Sequence, residues 1–392
     1  MSKGLNSNFR KSEKKRIRNI KKKLLEIEWD FHNSKNIRGL HDIHPYPAKF
    51  IPEIPRTLIK ILNTPNNTAV LDPFCGSGVT LVEAQNNGLN SIGVDLNPIA
   101  CMISRVKTTS STSNLIRIAK KCVQNAKSKS NPTIPNIPNL AHWFEPEIQR
   151  AIAALLLEIN NVKSEIIRER LRLALSSILV RVSKQESDTR YAAITKKTTY
   201  EKVFDGFILS CQNIQKNLIN RVKLPKAIVL EKNILEVKPE DISLPIGLVI
   251  TSPPYPNAYE YWLYHKYRMW WLGFDPLKVK EKEIGARAHF FKKNHHTEKD
   301  FQKQMDQTFS LLDQITVPKA FVCFVIGRSL IHGKIVDNTS IVISAAVNHG
   351  FEHFITLNRK INRNRKSFNL SHARIIMEDI IILQKKIPGN CP

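Results

Sequence analysis

Seven short apolar runs punctuate the chain: Ala69–Phe74 (AVLDPF), Ser91–Asp95 (SIGVD), Ala227–Glu231, Gly247–Thr251, Ala320–Ile326, Phe354–Arg359 and Asp379–Leu383. Runs of that length without polar alternation fit strands buried on both faces, and helical lengths of sequence separate most of them. The pattern predicts an α/β fold with a mostly parallel sheet. Its last two strands lie close enough in sequence to form an antiparallel hairpin at the sheet's edge. After the first run, Val79–Asn87 reads as a helix closed by Gly88, a residue suited to the C-terminal cap. Between the second and third runs, from about Cys101 to Leu224, the strand pattern stops. TTSSTSNL and KSKSNPTIPNIPN read as loops. Helical spacing then appears in residues 164–182 (Ile167, Leu171, Leu175, Ile178, Val182, with Ser164 as N-cap) and in 200–220 (Phe204, Phe207, Cys211, Ile214, Leu218). The expected organisation is a basic N-terminal segment at 1–40, an α/β domain formed by 41–105 and 225–392, and a helical insertion at 106–224. No internal repeat is evident.

Length and composition set limits on this picture. With 392 residues, 42% of them apolar, the chain can bury a sizeable core. No run approaches the roughly 18 apolar residues of a membrane span, and the Lys-rich start is not followed by the apolar stretch of a secretory signal. A soluble protein of the cytoplasm is expected. The six cysteines (Cys75, Cys101, Cys122, Cys211, Cys323 and Cys391) are scattered without a C-x-x-C pair, so free thiols and no structural metal are expected.

Charge points to a partner. Sixty Lys and Arg against 34 Asp and Glu give +26, and an excess of that size favours an anionic polymer, whose condensed counterions are released on binding. Residues 1–23 carry ten basic side chains and one acid, Glu13, while Arg359–Arg374 carry six and none. Nucleic acid is the leading candidate, with a basic solubilising surface as the plainer reading of the N-terminal run.

Chemistry enters at VLDPFCGSGVTLVEAQNNGLNSIGVDLNP. A strand ending at Asp72, a turn with Gly76 and Gly78, and a helix from Val79 would bring bare backbone close to a ligand at the top of the sheet. Asp95 ends the next strand about 20 residues beyond the turn, where an acid suits the two hydroxyls of a ribose. A dinucleotide site or a tight packing turn would look similar. Leu81 stands where a G-x-G-x-x-G fingerprint needs its third glycine, however, and no phosphate-binding G-x-x-x-x-G-K-[ST] loop occurs. Later, the run ending at Thr251 passes directly into Ser252-Pro253-Pro254-Tyr255, a stiff segment poor in backbone donors.

DPFCGSG followed by DLNP resembles the cofactor-binding motif of S-adenosylmethionine-dependent DNA amino-methyltransferases. The resemblance covers roughly residues 41–105 and 226–385, and it implies a Rossmann-like methyltransferase fold. It places Phe74, Gly76 and Gly78 against the cofactor's methionine part and Asp95 at its ribose, with Asp72 also among the cofactor-binding residues. HPYPAKFIP, His44–Pro52, is similar to the family's N-terminal motif and contributes Phe50. Asn233, just after the third strand, stands where relatives often carry an acid near the adenine ring. Ser252–Tyr255 matches the family's catalytic [D/N/S]-P-P-[Y/F] signature at the carboxyl end of a strand. An exocyclic base amine is a poor nucleophile because its lone pair is delocalised into the ring. The Ser252 oxygen and a proline carbonyl can accept its two N–H groups and favour a pyramidal nitrogen, while Tyr255 offers a stacking face to a base rotated out of the duplex. Serine before the prolines mostly accompanies cytosine N4 methylation in the family, and Asp or Asn adenine N6. Cytosine C5 chemistry is disfavoured, because none of the 21 prolines precedes a cysteine.

The implied partners are double-stranded DNA and a cognate restriction endonuclease, with no metal and no membrane. An RNA base methyltransferase and a non-catalytic nucleic-acid-binding protein on the same fold remain as alternatives. NAYEYWLYHKYRMWWLGFDP mixes aromatics with cations; it could line a groove for nucleic acid, although such a stripe is more often core. Glu283–His296 and Asn362–Arg374 read as basic loops, and Arg363, Arg365 and Lys366 are the suspected DNA contacts. SKQESDTRY, Ser183–Tyr191, is dense with polar side chains and could be a contact loop, although it reads more plainly as a helix cap with a solvated turn.

Overall fold

A computed structural model describes residues 2–32, 39–111, 114–188, 190–257, 259–291, 295–361 and 377–387, with side chains from residue 12 onward. Seven strands form the main sheet and are numbered along the chain: β1 (Ala69–Asp72), β2 (Ser91–Asp95), β3 (Ala227–Glu231), β4 (Ile246–Thr251), β5 (Thr316–Gly327), β6 (Phe351–Lys360) and β7 (Met377–Lys385). Their spatial order is β6-β7-β5-β4-β1-β2-β3. β1 pairs in parallel with β2 and β4, β2 with β3, and β4 with β5. β7 alone runs against its neighbours, β5 and β6, so the expected edge hairpin is present. After β1 the chain builds outward through β2 and β3, then returns to the other side of β1 as β4. That reversal opens a crevice at the carboxyl ends of β1 and β4, where open α/β sheets bind ligands. Both strands are buried at every residue, which accounts for their unbroken apolar sequences.

Helices cover both faces. On one side the helices Ser2–Leu25 and Glu53–Leu62 place Leu24, Ile54 and Leu58 against Val70, Leu248, Ile250 and Phe321. On the other, Glu298–Ile315 and Asn338–Asn348 set Phe309, Leu312 and Val342 against Leu71, Val249, Val322 and Phe351. The N-terminal helix buries Ile20 and Leu24 and exposes Lys14, Lys15, Arg16, Arg18, Lys22 and Lys23, so its basic run is an outward face of an amphipathic helix.

The helix after the glycine turn, Val79–Asn86, is pinned by a buried charge. Glu83 has no exposed side-chain surface and accepts from Arg56 Nε (2.8 Å), Arg56 Nη2 (3.0 Å) and His41 Nε2 (3.3 Å). Gly88 follows with φ +75°, as expected of a helix stop. β2 hands over to the helix Pro98–Thr108 through Asn97, whose side chain caps it by accepting from Ile99 N at 2.9 Å.

Between β2 and β3 the anticipated helices are present as Glu165–Val182 and Tyr200–Leu218. Three more, Leu115–Lys127, Leu140–Trp143 and Pro146–Asn160, precede them. Together with Pro98–Thr108 and Tyr261–Trp271 they bury a third apolar cluster. SKQESDTRY is more ordered than a solvated turn. It contributes a small hairpin, Gln185–Ser187 with Arg190–Ala193, and Asp188 pairs with Arg268, a residue with only 1% of its side chain exposed. The aromatic stripe divides: Trp262, Tyr267 and Trp271 are buried in the core, whereas Tyr259, Tyr261, Tyr264 and Trp270 are half-buried. Among the described residues no helix is long and apolar enough to cross a membrane.

Candidate active site

The residues singled out from two distant stretches of sequence meet in one cavity of about 260 Å³. Phe50, Asp72, Phe74, Gly76, Asp95, Asn233, Ser252, Pro253, Pro254 and Tyr255 all line it. The parallel sheet explains this convergence: β1, β2 and β4 are adjacent and end at the same edge, so whatever follows each of them opens on the same crevice.

The glycine turn is built by backbone contacts. Cys75 N donates to Val94 O (2.9 Å) and Gly78 N to Cys75 O (2.7 Å). Gly76 has φ +48°, and a Cβ there would sit 3.3 Å from the Tyr46 ring, so backbone and aromatic face are in close approach. Gly78 differs from the expectation placed on it. It does not line the cavity. Its φ of +73° starts the following helix, and a Cβ would lie 2.6 Å from Ser104 Oγ and 3.0 Å from Ser104 Cα. The second glycine therefore serves the packing of two helices, and Ser104 Oγ in turn donates to Gly76 O at 2.8 Å.

Five carboxyl side chains line the cavity, Asp30, Asp72, Asp95, Glu283 and Glu378, and burial raises the pKa of three of them. Asp95 Oδ2 accepts from Gly76 N (2.8 Å) and Oδ1 from Asn97 N (2.8 Å), which ties the end of β2 to the glycine turn. Burial outweighs those bonds and raises its pKa to about 6. Asp72 accepts from Thr251 Oγ1 (2.6 Å) and Phe74 N (3.1 Å), joining the ends of β1 and β4; burial raises it likewise to about 6. Glu283, also at the cavity wall, accepts from Tyr261 N (2.9 Å) and Trp262 N (2.8 Å) at the start of an aromatic helix, and burial raises it to about 8.

The lip Ser252–Tyr255 is held from several sides. Thr251 anchors it to Asp72. Gly285, at φ +73°, leaves only 3.0 Å between its absent Cβ and Tyr255 O, and Asn257 N donates to Gly285 O at 3.0 Å. Tyr255 Oη donates to Glu378 Oε1 at 2.7 Å. Asn233 caps the short turn after β3 by accepting from Leu235 N at 3.0 Å.

Several wall residues were not among those chosen from the sequence: Tyr46, Tyr259, Tyr261, Glu283, Arg359, Glu378 and, from the N-terminal segment, Asp30 and Phe31. Tyr46 stacks on Tyr261 (centroids 5.8 Å) and on the buried His265 (5.2 Å). Tyr46 does lie within HPYPAKFIP, and Glu283 begins the loop that carries Gly285. Arg363, Arg365 and Lys366 lie outside the described residues.

Comparison with known proteins adds the family. A DNA methylase family model matches residues 4–105. The type II methyltransferase M.MjaII of Methanocaldococcus jannaschii is 37% identical over 87 residues, covering 21% of this chain and 16% of its own. M.MvaI of Kocuria varians is 26% identical over 259 residues, covering 58% and 56%, and M.BsoBI of Geobacillus stearothermophilus is 24% identical over 285 residues, covering 64% and 56%. The chain thus spans about half the length, or less, of these curated relatives. The match to the DNA methylase family model takes in the segment that holds the glycine turn and Asp95, so that segment is similar to the N6/N4 DNA methylases.

Proposed function

We propose that this protein methylates duplex DNA, transferring a methyl group from S-adenosylmethionine to the exocyclic amine of a flipped base, with cytosine N4 as the first choice. The observation that carries the reading is the meeting of the Gly76–Asp95 turn and the Ser252–Tyr255 lip in one cavity. The wall fits a cationic sulfonium cofactor: carboxyls of Asp72 and Asp95 and the rings of Tyr46, Phe74, Tyr255 and Tyr261 surround it, and the bare backbone of Gly76 admits close approach. When bound, S-adenosylmethionine supplies a methyl group carried on that sulfonium.

The protein's own part is to hold the amine. Asp95 takes the ribose hydroxyls in this reading, and Phe50, Phe74 and Gly76 border the methionine part. Ser252 Oγ and a proline carbonyl accept the two amine N–H groups, which turns the nitrogen lone pair toward the cofactor. Because Gly285 and Asp72 fix the lip beforehand, those acceptors need little rearrangement as charge develops. Tyr255 stacks on the extruded base and offsets part of the few kcal/mol lost on unstacking it. Serine ahead of the prolines favours cytosine over adenine by resemblance to the family. A paired restriction endonuclease and a cytoplasmic setting belong to the same proposal, as does the division into segments 1–40, 41–105 with 225–392, and 106–224.

The test is transfer of isotope-labelled methyl from S-adenosylmethionine to duplex DNA, followed by nucleoside mass spectrometry. N4-methylcytosine is expected. N6-methyladenine would correct the base, and transfer to structured RNA but not to DNA would overturn the reading. Mapping modified positions in DNA from expressing cells gives the recognition sequence in the same experiment.

A further inference from the structure

Glu378 bridges the lip and the edge of the sheet. It sits on β7 directly across from Arg359 on β6. One carboxylate oxygen, Oε2, pairs with the Arg359 guanidinium, and the other, Oε1, accepts from Tyr255 Oη at 2.7 Å. Both charged side chains are largely buried, at 14% and 8% exposed. Arg359 Nε donates in turn to Trp29 O (3.2 Å), and Asp30 Oδ1 accepts from Lys360 N (2.6 Å), so the N-terminal segment backs the pair. Asp30, Arg359 and Glu378 all line the cavity that holds Tyr255.

We infer that Glu378 is a positioning residue for base stacking, tethering the Tyr255 hydroxyl so that the ring is held in one plane before a base arrives. This rests on the reading of Tyr255 given above. The Arg359 pair would be complete without the phenol; the second oxygen goes to the hydroxyl of a ring that packs against an apolar cluster, and it fixes the ring's polar end. Arg359 serves to aim the carboxylate, and a carboxylate acceptor makes the phenol bond a charge-assisted one. A phenylalanine at this position would stack equally well yet lack the tether.

The test compares Tyr255→Phe, Glu378→Gln and the double variant. Tyr255→Phe leaves the Arg359–Glu378 pair intact, so it separates tethering from folding. Each single variant is expected to lower kcat about tenfold, the loss of one hydrogen bond to a charged group, with KM for S-adenosylmethionine unchanged. Fluorescence of an analogue placed at the target base should report weaker stacking in both. The double variant should be no worse than Glu378→Gln alone, because the two act through one contact. Multiplying losses in the double variant, or full turnover in Tyr255→Phe, would overturn the inference. Wild-type protein that transfers no methyl group to DNA would overturn the proposed function, and this inference with it.

Discussion

Gly78 and Gly88 share nearly the same backbone conformation, φ +73° and +75°, in entirely different surroundings. Replacing either with alanine places a Cβ in the left-handed region, at about 1–2 kcal/mol. At Gly88 nothing lies within 4 Å, and the cost should stop there. At Gly78 the new carbon meets Ser104 Oγ at 2.6 Å, Cβ at 2.9 Å and the main-chain Cα at 3.0 Å. A hydroxyl can rotate away, but the Cα moves only with the helix Pro98–Thr108, which adds roughly 1–3 kcal/mol of overpacking. The total for Gly78→Ala is therefore about 2–5 kcal/mol. Rotation of Ser104 also removes its 2.8 Å bond to Gly76 O, loosening the turn at the cavity. Urea midpoints at fixed pH should show Gly78→Ala as the worse by about 1–3 kcal/mol. Calorimetric titration with S-adenosylmethionine should show weaker binding only in that variant. Equal destabilisation by the two substitutions would refute the packing role assigned to Gly78.

Ser252→Ala removes one acceptor from the amine and should lower kcat by about 10²–10³ while leaving the Kd for S-adenosylmethionine nearly unchanged; equal turnover would sink the assignment. The native pKa of about 6 for Asp95 lies above its ordinary 3.8, so near pH 5 the folded protein holds a proton that the unfolded chain has lost. Asp95 thus makes stability fall as pH rises from about 4 to about 6 and contributes no further change above that; Asp95→Asn should flatten this part of the urea-midpoint profile. Ionisation of Asp95 in the folded protein is centred on about 6, so affinity for the cationic cofactor should rise between about pH 5 and 7 in the wild type, and less so in Asp95→Asn. Arg56→Ala leaves the fully buried Glu83 with only His41, and should cost about 3 kcal/mol in the same unfolding assay.

The strands were legible because burial on both faces leaves an unbroken apolar signature, and Asp95 and Ser252 because each stands at the carboxyl end of such a run. Much of what escaped has a weak local signature or none. Leu115–Lys127 does carry a helical period in Leu115, Ala119, Cys122 and Ala126, but small residues make up most of that face, and a Ser/Thr-rich loop precedes it and a proline-rich one follows. SKQESDTRY looked solvated because its polar residues are satisfied at a distance: Asp188 meets Arg268, 80 positions away. Glu378 and Arg359 face each other through antiparallel pairing, and no spacing rule would have linked either to Tyr255, 123 residues from Glu378. Gly76 and Gly78 were alike in sequence. Their difference lies in the neighbours, one an aromatic wall of the cavity and the other a helix.

The helices between β2 and β3 leave and rejoin the sheet at adjacent strands, so removing them would not interrupt the order of the sheet. Yet the aromatic helix behind Tyr46 leans on them: Arg268 Nε donates to Ser176 O at 3.0 Å, and His44 Nε2 meets Ser176 Oγ at 2.9 Å. An excision that looks harmless on a wiring diagram would take away the buttress of the cavity wall. Variation in this excursion should therefore be felt at a distance, as a change in how firmly that wall stands.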